Sequence, residues 1–140
     1  MAVVTKSFEV ETTHENQMVD ITDKVRKAVG KISEGLVTVF VTHSSAAIIT
    51  IEHEPGLEKD FPAMLERVAP KGLEYEHHRK WHDYNGHSHV KASLLGPSLT
   101  IPVTKGELVL GEWQQVVLLE LDVRPRKRTV VVQAMGETFV

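Results

Sequence analysis

The 140-residue chain contains no cysteine. That excludes a disulfide framework and a thiol nucleophile, and it fits a cytoplasmic protein. A basic surplus is also missing. Sixteen Lys and Arg stand against 19 Asp and Glu, for a formal charge of −3 and an isoelectric point near 6.2. Nucleic-acid binders normally carry a basic face, so nucleic acid is not an expected partner. Long apolar runs are absent too. "VVLLEL" at 116–121 is interrupted by Glu120 and is too short to span a membrane, so no membrane partner is expected either. The opening "MAVVTKSFEV" lacks the basic start, apolar core and cleavage site of a signal peptide. No phosphate-cradling Gly-rich loop, serine nucleophile elbow or His-Glu-x-x-His motif occurs.

What remains is ordinary in bulk and unusual in one respect. Apolar content is 41% and charged content 25%, which suits one soluble domain over 1–140 with a core that needs no staples. Histidine is abundant: there are eight, and five of them (His77, His78, His82, His87 and His89) fall between positions 77 and 89.

Periodicity gives an α+β order. "VVTKSFEVET" alternates as a strand, and "NQMVDIT" reads as a shorter one. Asp20 is placed to cap a helix whose apolar positions are Ile21, Val25, Ala28, Val29 and Ile32, with Gly35 closing it. "LVTVFVTH" and "AAIITIE" read as strands. A second helix carries Leu57, Phe61, Leu65 and Val68, and Pro62 predicts that it is short, kinked or late-starting. Residues 70–86 have no period and read as a polar loop. Four β-like runs follow, at about 88–95, 98–104, 107–121 and 128–135, with a hairpin turn through Gly106. Two packed sheets with two helices on one side is the expected architecture.

Read as a strand, "HSHVKASLL" puts His87, His89, Lys91 and Ser93 on one face and Val90, Ala92 and Leu94 on the other. The first face is either a solvated surface or a site. His43 ends a strand whose same-face neighbours are three valines, and Ser44 and Ser45 follow it. It is either a strand-end histidine satisfied by a carbonyl or an imidazole at a sheet rim, beside hydroxyls and amides suited to an anion. His43, His87 and His89 together would make a three-nitrogen zinc site with an open position. In "GEWQQ", Trp113 reads as core. Gln114 reads as a buried amide that must find partners, and so as a holder of a site histidine or ligand. Arg124, Arg126, Lys127 and Arg128 could grip a phosphate but read rather as a charged turn, the acidic run 52–60 as a solvated helix start, and His77, His78 and His82 as solvent-facing.

"THSSAAIITI", "GHSHVKASLLGPSLTIPV", "GELVLGEWQQVVLLELD" and "VVVQAMGE" occur in the order and spacing of the YjbQ family. The chain resembles that family over essentially its whole length. The family signature is matched at Ser98, Ile101, Val103, Gly106, Gly111, Trp113 and Gln114. The resemblance implies a trimer-forming two-sheet β-sandwich with two helices, a homotrimer with sites near subunit boundaries. It also implies a thiamine-phosphate synthase-like transferase that joins a pyrimidine diphosphate to a thiazole phosphate and releases pyrophosphate. The family's site histidines map onto His43 and His89, while other members differ at the position of His87. Glu112 stands where members often carry Thr, and Ala46 where some carry Cys.

Two expectations follow. In the transferase, His43, His89 and Lys91 donate to the phosphates with Mg²⁺ assisting. Ser44, Ser45, Asn85, Ser93 and Gln114 orient the small phosphorylated substrate. In the alternative, a hydrolase or small-ligand-binding trimer, His43, His87 and His89 hold Zn²⁺. A structural trimer without catalysis is the bland third case.

Overall fold

Two long strands frame the molecule. A computed structural model describes residues 1–140. In it β1 (Ala2–Glu11) pairs antiparallel with β8 (Lys127–Thr138) from Ala2↔Gly136 to Glu11↔Lys127. β8 also pairs with β3 (Ile32–Val41), which pairs with β5 (Ser98–Thr104), and the short β6 (Glu107–Leu108) closes the edge. The five-stranded order is β1-β8-β3-β5-β6. A second sheet holds β2 (Met18–Asp20), β7 (Gln115–Glu120) and β4 (Ala46–Ile51), in the order β2-β7-β4.

Alternation explains how the sheets stack. Val37, Val39 and Val41 of β3, with Ile101, Val103, Val130, Val132 and Ala134, face Ala46, Ile48, Val116 and Leu118 of the small sheet in one cluster. The other face of the small sheet, with Val117 and Leu119, packs on Leu65 and Ala92. The run "VVLLEL" is therefore covered on both sides, which is why it does not alternate.

Four helices are present. α1 (Thr22–Ala28) buries Val25 and Ala28, with Ile21, Val29 and Ile32 buried at its flanks. Asp20 Oδ1 accepts from Thr22 N at 2.9 Å and from Thr22 Oγ1 at 2.6 Å. Gly30, at φ +65°, ends this helix, whereas Gly35 lies inside β3. A Cβ on Gly35 would meet Met135 O at 2.0 Å, so that glycine serves the close crossing of β3 and β8.

α2 (Pro55–Val68) runs unbroken through Pro62 for 14 residues. Glu54 caps it, accepting from Leu57 N at 2.6 Å and Gly56 N at 2.8 Å. This cap and the burial of Leu65 outweigh the missing hydrogen bond at Pro62.

The larger departure comes next. The expected loop contains α3 (Glu76–Trp81), and the expected strand 88–95 is a helix, α4 (Gly86–Leu95). Of its ten residues only Val90 is β-branched, and Lys91, Ala92, Leu94 and Leu95 are good helix formers. His87/Lys91 and Ser88/Ala92 are buried at i, i+4 spacing, a helical pattern that short alternation can mimic. Gly86 permits the joint, because a Cβ there would meet Tyr75 Cβ at 2.6 Å. The run 107–121 is also divided: β6 and β7 lie in different sheets, with a turn at 111–114 between them. No helix is long and apolar enough to cross a membrane.

Candidate functional site

The chain passes between the two sheets three times at the same end of the sandwich: β1 to β2 through Thr12, and the two crossings that bound the site. β3 leaves the large sheet at Val41, turns through His43, Ser44 and Ser45, and enters the small sheet as β4. β7 leaves the small sheet at Glu120 and returns to the large one as β8 from Lys127. Backbone groups that lose ladder partners at such crossings must find others. Thr129 N donates to His43 Nε2 at 2.9 Å, and Leu121 N to Ser45 O at 3.1 Å.

Between the crossings lies a buried ion pair. Glu120 is 0% exposed and Arg128 2%. Arg128 Nε donates to Glu120 Oε1 at 2.8 Å, and Arg128 Nη2 contacts Glu120 Oε2. Thr12 Oγ1 donates to Glu120 Oε1 at 2.7 Å and Asp122 N to Oε2 at 2.9 Å. Arg128 Nη2 also reaches Ser45 O at 3.0 Å and Ser45 Oγ at 2.9 Å. This saturation is what a buried pair requires.

From Ser45 the network continues to Asp122, whose Oδ2 accepts from Ser45 Oγ and Arg126 Nε, both at 3.0 Å. Val123 N donates to Oδ1 at 2.7 Å, and Asn85 Nδ2 lies 3.3 Å from each carboxylate oxygen. Burial alone would raise the Asp122 pKa; the hydrogen bonds from Val123, Ser45 and Arg126 together outweigh it and hold the group below its usual value. Asp122 is therefore a fixed anion.

Over this floor opens a cavity of about 370 Å³ with no apolar lining residue. Its wall includes His43, Ser44, Ser45, Asn85 and His89, five residues singled out in the sequence. It also includes Thr42, Asp83 and Asp122, which were not, and Arg126 and Arg128, which the sequence reading set aside as a charged turn.

The hydrogen bonds fix the imidazole tautomers. His43 Nε2 accepts a backbone N–H, so the neutral ring carries its proton on Nδ1. Desolvation lowers its pKa first, Arg128 and Arg126 lower it further, and Glu120 opposes them. His43 thus stays a neutral Nδ1–H donor below the pH at which a free histidine charges. His89 Nδ1 lies 3.1 Å from the carbonyl of Ser44, an acceptor only, so Nδ1 carries the proton and Nε2 is free. The amides of Ser44 and Ser45 make no hydrogen bond within the chain. Asp83 brings a carboxylate whose Oδ1 has no hydrogen-bond partner.

Other sequence-singled residues are elsewhere. His87 is 0% exposed and its Nε2 bonds Glu15 Oε2 at 2.7 Å. Residues two apart on a helix point about 200° apart, so His87 and His89 cannot share a site. The trio His43, His87 and His89 does not converge, and no three His, Asp or Glu side chains gather closely enough to hold a metal ion. Lys91 is 2% exposed and pairs with Glu66 Oε2 at 3.3 Å, outside the cavity. Ser93 lines a neighbouring recess of about 150 Å³ with His43 and Ser44. Gln114 is exposed in its turn, with Oε1 accepting from Gly111 N at 2.7 Å, and Trp113 is 64% exposed rather than core. Ser45 is in the wall, but its hydroxyl is committed to Asp122 and Arg128.

The missed residues left two kinds of trace. Glu120 and Asp122 are acids set in or beside an apolar run, and Arg128 heads the buried face Val130, Val132, Ala134. A buried acid and a buried base imply each other. His77 and His78, read as solvent-facing, are tied into the joint between α3 and α4: His78 Nε2 accepts from Gly86 N at 3.0 Å. Nothing local marked them.

Residues 6–137 match the family model described as UPF0047 protein YjbQ-like. A UPF0047 protein of Archaeoglobus fulgidus is 40% identical over 126 residues, covering 90% of this chain and 97% of the relative. The UPF0047 protein YugU of Bacillus subtilis is 31% identical over 134 residues, covering 94% of this chain and 98% of its own. Among solved structures, a YbjQ-like protein of unknown function from Sulfolobus solfataricus aligns with a TM-score of 0.90 at 36% identity, covering 97% of this chain and 99% of that one.

Proposed function

The chain belongs to the YjbQ-like UPF0047 family, and from that premise we propose that its cavity binds a small phosphorylated substrate for a thiamine-phosphate synthase-type transfer. The observation that carries this reading is the convergence of His43, Ser44, Ser45, Asn85 and His89 with Arg126 in one wholly polar cavity. In that reaction the pyrimidine diphosphate breaks its carbon–oxygen bond, pyrophosphate departs with the electron pair, and the thiazole nitrogen attacks the resonance-stabilised cation. No protein nucleophile is needed, only donors aimed where negative charge grows.

The residues offer such donors. His43 Nδ1–H, the open amides of Ser44 and Ser45 and the Ser44 hydroxyl form one corner, with Arg126 beside it. Asp83 and the imidazole face of His89 suit the aminopyrimidine, the carboxylate for its amino group and the ring for stacking. Asp83, a hard oxygen donor with an unpartnered atom, is also the residue that fits Mg²⁺, which would neutralise phosphate charge when bound. The homotrimer belongs to the same reading. Its support is the apolar patch of Val3, Leu36, Phe40 and Met135 on the large sheet, all exposed in the single chain.

A binding role without catalysis is the second reading. It is favoured by the pairing of both cavity arginines with carboxylates, which leaves no uncommitted fixed cation for a leaving group. Incubating the protein with the two precursors and Mg²⁺ separates the readings. Pyrophosphate release that disappears in His43→Ala and His89→Ala supports the transferase. Binding of pyrophosphate with no release under those conditions sinks it and leaves the binding protein.

A further inference from the structure

His77 lies outside the cavity wall but touches two of its residues, His89 and Asn85, and the proposed function assigns it no role. Its ring centroid lies 4.6 Å from that of His89, with the planes inclined by 54°. The short helix that carries it is anchored. His78 Nε2 accepts from Gly86 N at 3.0 Å, and the Tyr75 hydroxyl donates to Pro70 O at 2.8 Å.

A chain of forced hydrogen-bond polarity reaches His77 from the buried floor. Asp122 is an ionised acceptor, so Asn85 must present its Nδ2 amine to it. The Asn85 Oδ1 then faces His77 Nε2 at 3.0 Å and accepts its proton. Asp83 Oδ1 lies 3.3 Å from the same nitrogen, an ion-pair distance without hydrogen-bond alignment, so the proton goes to Asn85. His77 is thereby locked in the Nε2–H form and in one ring orientation. His89 is held only by its Nδ1 contact to Ser44 O, and a single hydrogen bond leaves a ring free to swing about it. The His77 ring blocks that swing.

We propose that His77 is a positioning residue: the Asp122–Asn85–His77 chain fixes its ring, and that ring holds His89 with Nε2 toward the ligand, where the neutral ring accepts from a protonated phosphate oxygen and the imidazolium donates to an anionic one. The proposal rests on reading the cavity as an anion-binding site, and its test separates the two. The measurement is the two-bond ¹⁵N–¹H correlation of the imidazoles, at a pH where they are neutral, in the wild type, His77→Ala and His77→Gln. Titration with inorganic pyrophosphate accompanies it.

In the wild type, His77 reports Nε2–H and His89 Nδ1–H. In His77→Ala, His89 shifts to a mixture of tautomers and pyrophosphate binds about tenfold more weakly, the size of one lost polar constraint. His77→Gln, whose planar amide takes the place of the ring against His89 and can still donate to Asn85 Oδ1, recovers the His89 tautomer and most of the affinity. An unchanged Nδ1–H signal from His89 in His77→Ala overturns the proposal. Should that variant fail to fold, a mixed His89 tautomer in a folded His77→Gln overturns it equally. Wild type that binds no pyrophosphate refutes the anion-site reading, while the tautomer signals still decide the role of His77.

Discussion

His87 and His89 stand one residue apart on α4 and belong to different regions of the molecule. His89 faces the cavity at the sheet crossings, where it touches Ser44 and His77. His87 faces the underside, where its bond to Glu15 joins Lys91–Glu66, and Lys71 links the two carboxylates through its Nζ and its backbone N. The cavity side keeps its hydrogen-bonding capacity open to a ligand, whereas the underside ties His87 Nε2 and Lys91 into ion pairs that hold the helix and leaves His87 Nδ1 buried without a partner. One helix thus separates a positioning face from a displayed face by rotation alone.

The comparison is broken most severely from the shared floor. Arg128→Met leaves Glu120 buried without its counter-charge, and truncating one partner of such a pair costs about 3–5 kcal/mol. Urea unfolding should show that loss, with the Glu120→Leu/Arg128→Met pair recovering much of it. A change below about 1 kcal/mol in the single variant would mean that water reaches the pair.

Next come the two histidines themselves. His87→Ala removes a fully buried ring and its bond to Glu15, for a loss of roughly 1–3 kcal/mol in stability. Pyrophosphate affinity should stay within about twofold, since the ring does not reach the cavity. His89→Ala should do the reverse: stability within about 0.5 kcal/mol of wild type and a loss of ligand binding. Equal effects of the two variants on binding would erase the distinction between the faces.

How far the sequence reveals this division is itself instructive. The strand assignment for 87–95 grouped His87 with His89, because alternation over nine residues fits a strand as well as it fits two faces of a helix. The two-sheet α+β architecture was legible, since long β-branched runs such as 36–41 and 128–135 admit one reading. His43 and His89 were picked out through the family pattern, with Ser44, Ser45 and Asn85 named beside them, and all five line one cavity. Asp122, Arg126 and Arg128 were not. Their proximity is created by strand pairing between distant segments, and charge in a turn looks the same whether it is solvated or folded inward. Gln114 misled for a related reason: a run of 15 apparently β residues concealed the turn that moves it to the surface.

A smaller effect tests the cavity electrostatically. The folded His43 pKa lies below its ordinary value, chiefly through desolvation, so the unfolded chain takes up its proton first as pH falls. The neutral ring's contribution is fully present above the ordinary value of 6.5 and is lost as pH falls toward and through the folded value. His43→Gln keeps an acceptor for Thr129 N but cannot titrate. Its unfolding free energy should therefore fall less steeply than that of the wild type from pH 7 downward. Parallel slopes would place His43 in solvent.

The smallest effect is expected where the family signature is strongest. Trp113 belongs to the matched pattern, yet it is 64% exposed and touches neither the core nor the cavity. Exposed substitutions away from special backbone geometry usually change stability by no more than about 0.5 kcal/mol. Trp113→Ala should therefore leave the unfolding curve of the single chain nearly unmoved at low protein concentration. If the chain assembles through this surface, the same substitution lowers the melting temperature in a concentration-dependent way, because association stabilises only the folded form. A large, concentration-independent loss would place the Trp113 ring inside the fold, and the turn at 111–114 would then belong to the core rather than to the surface.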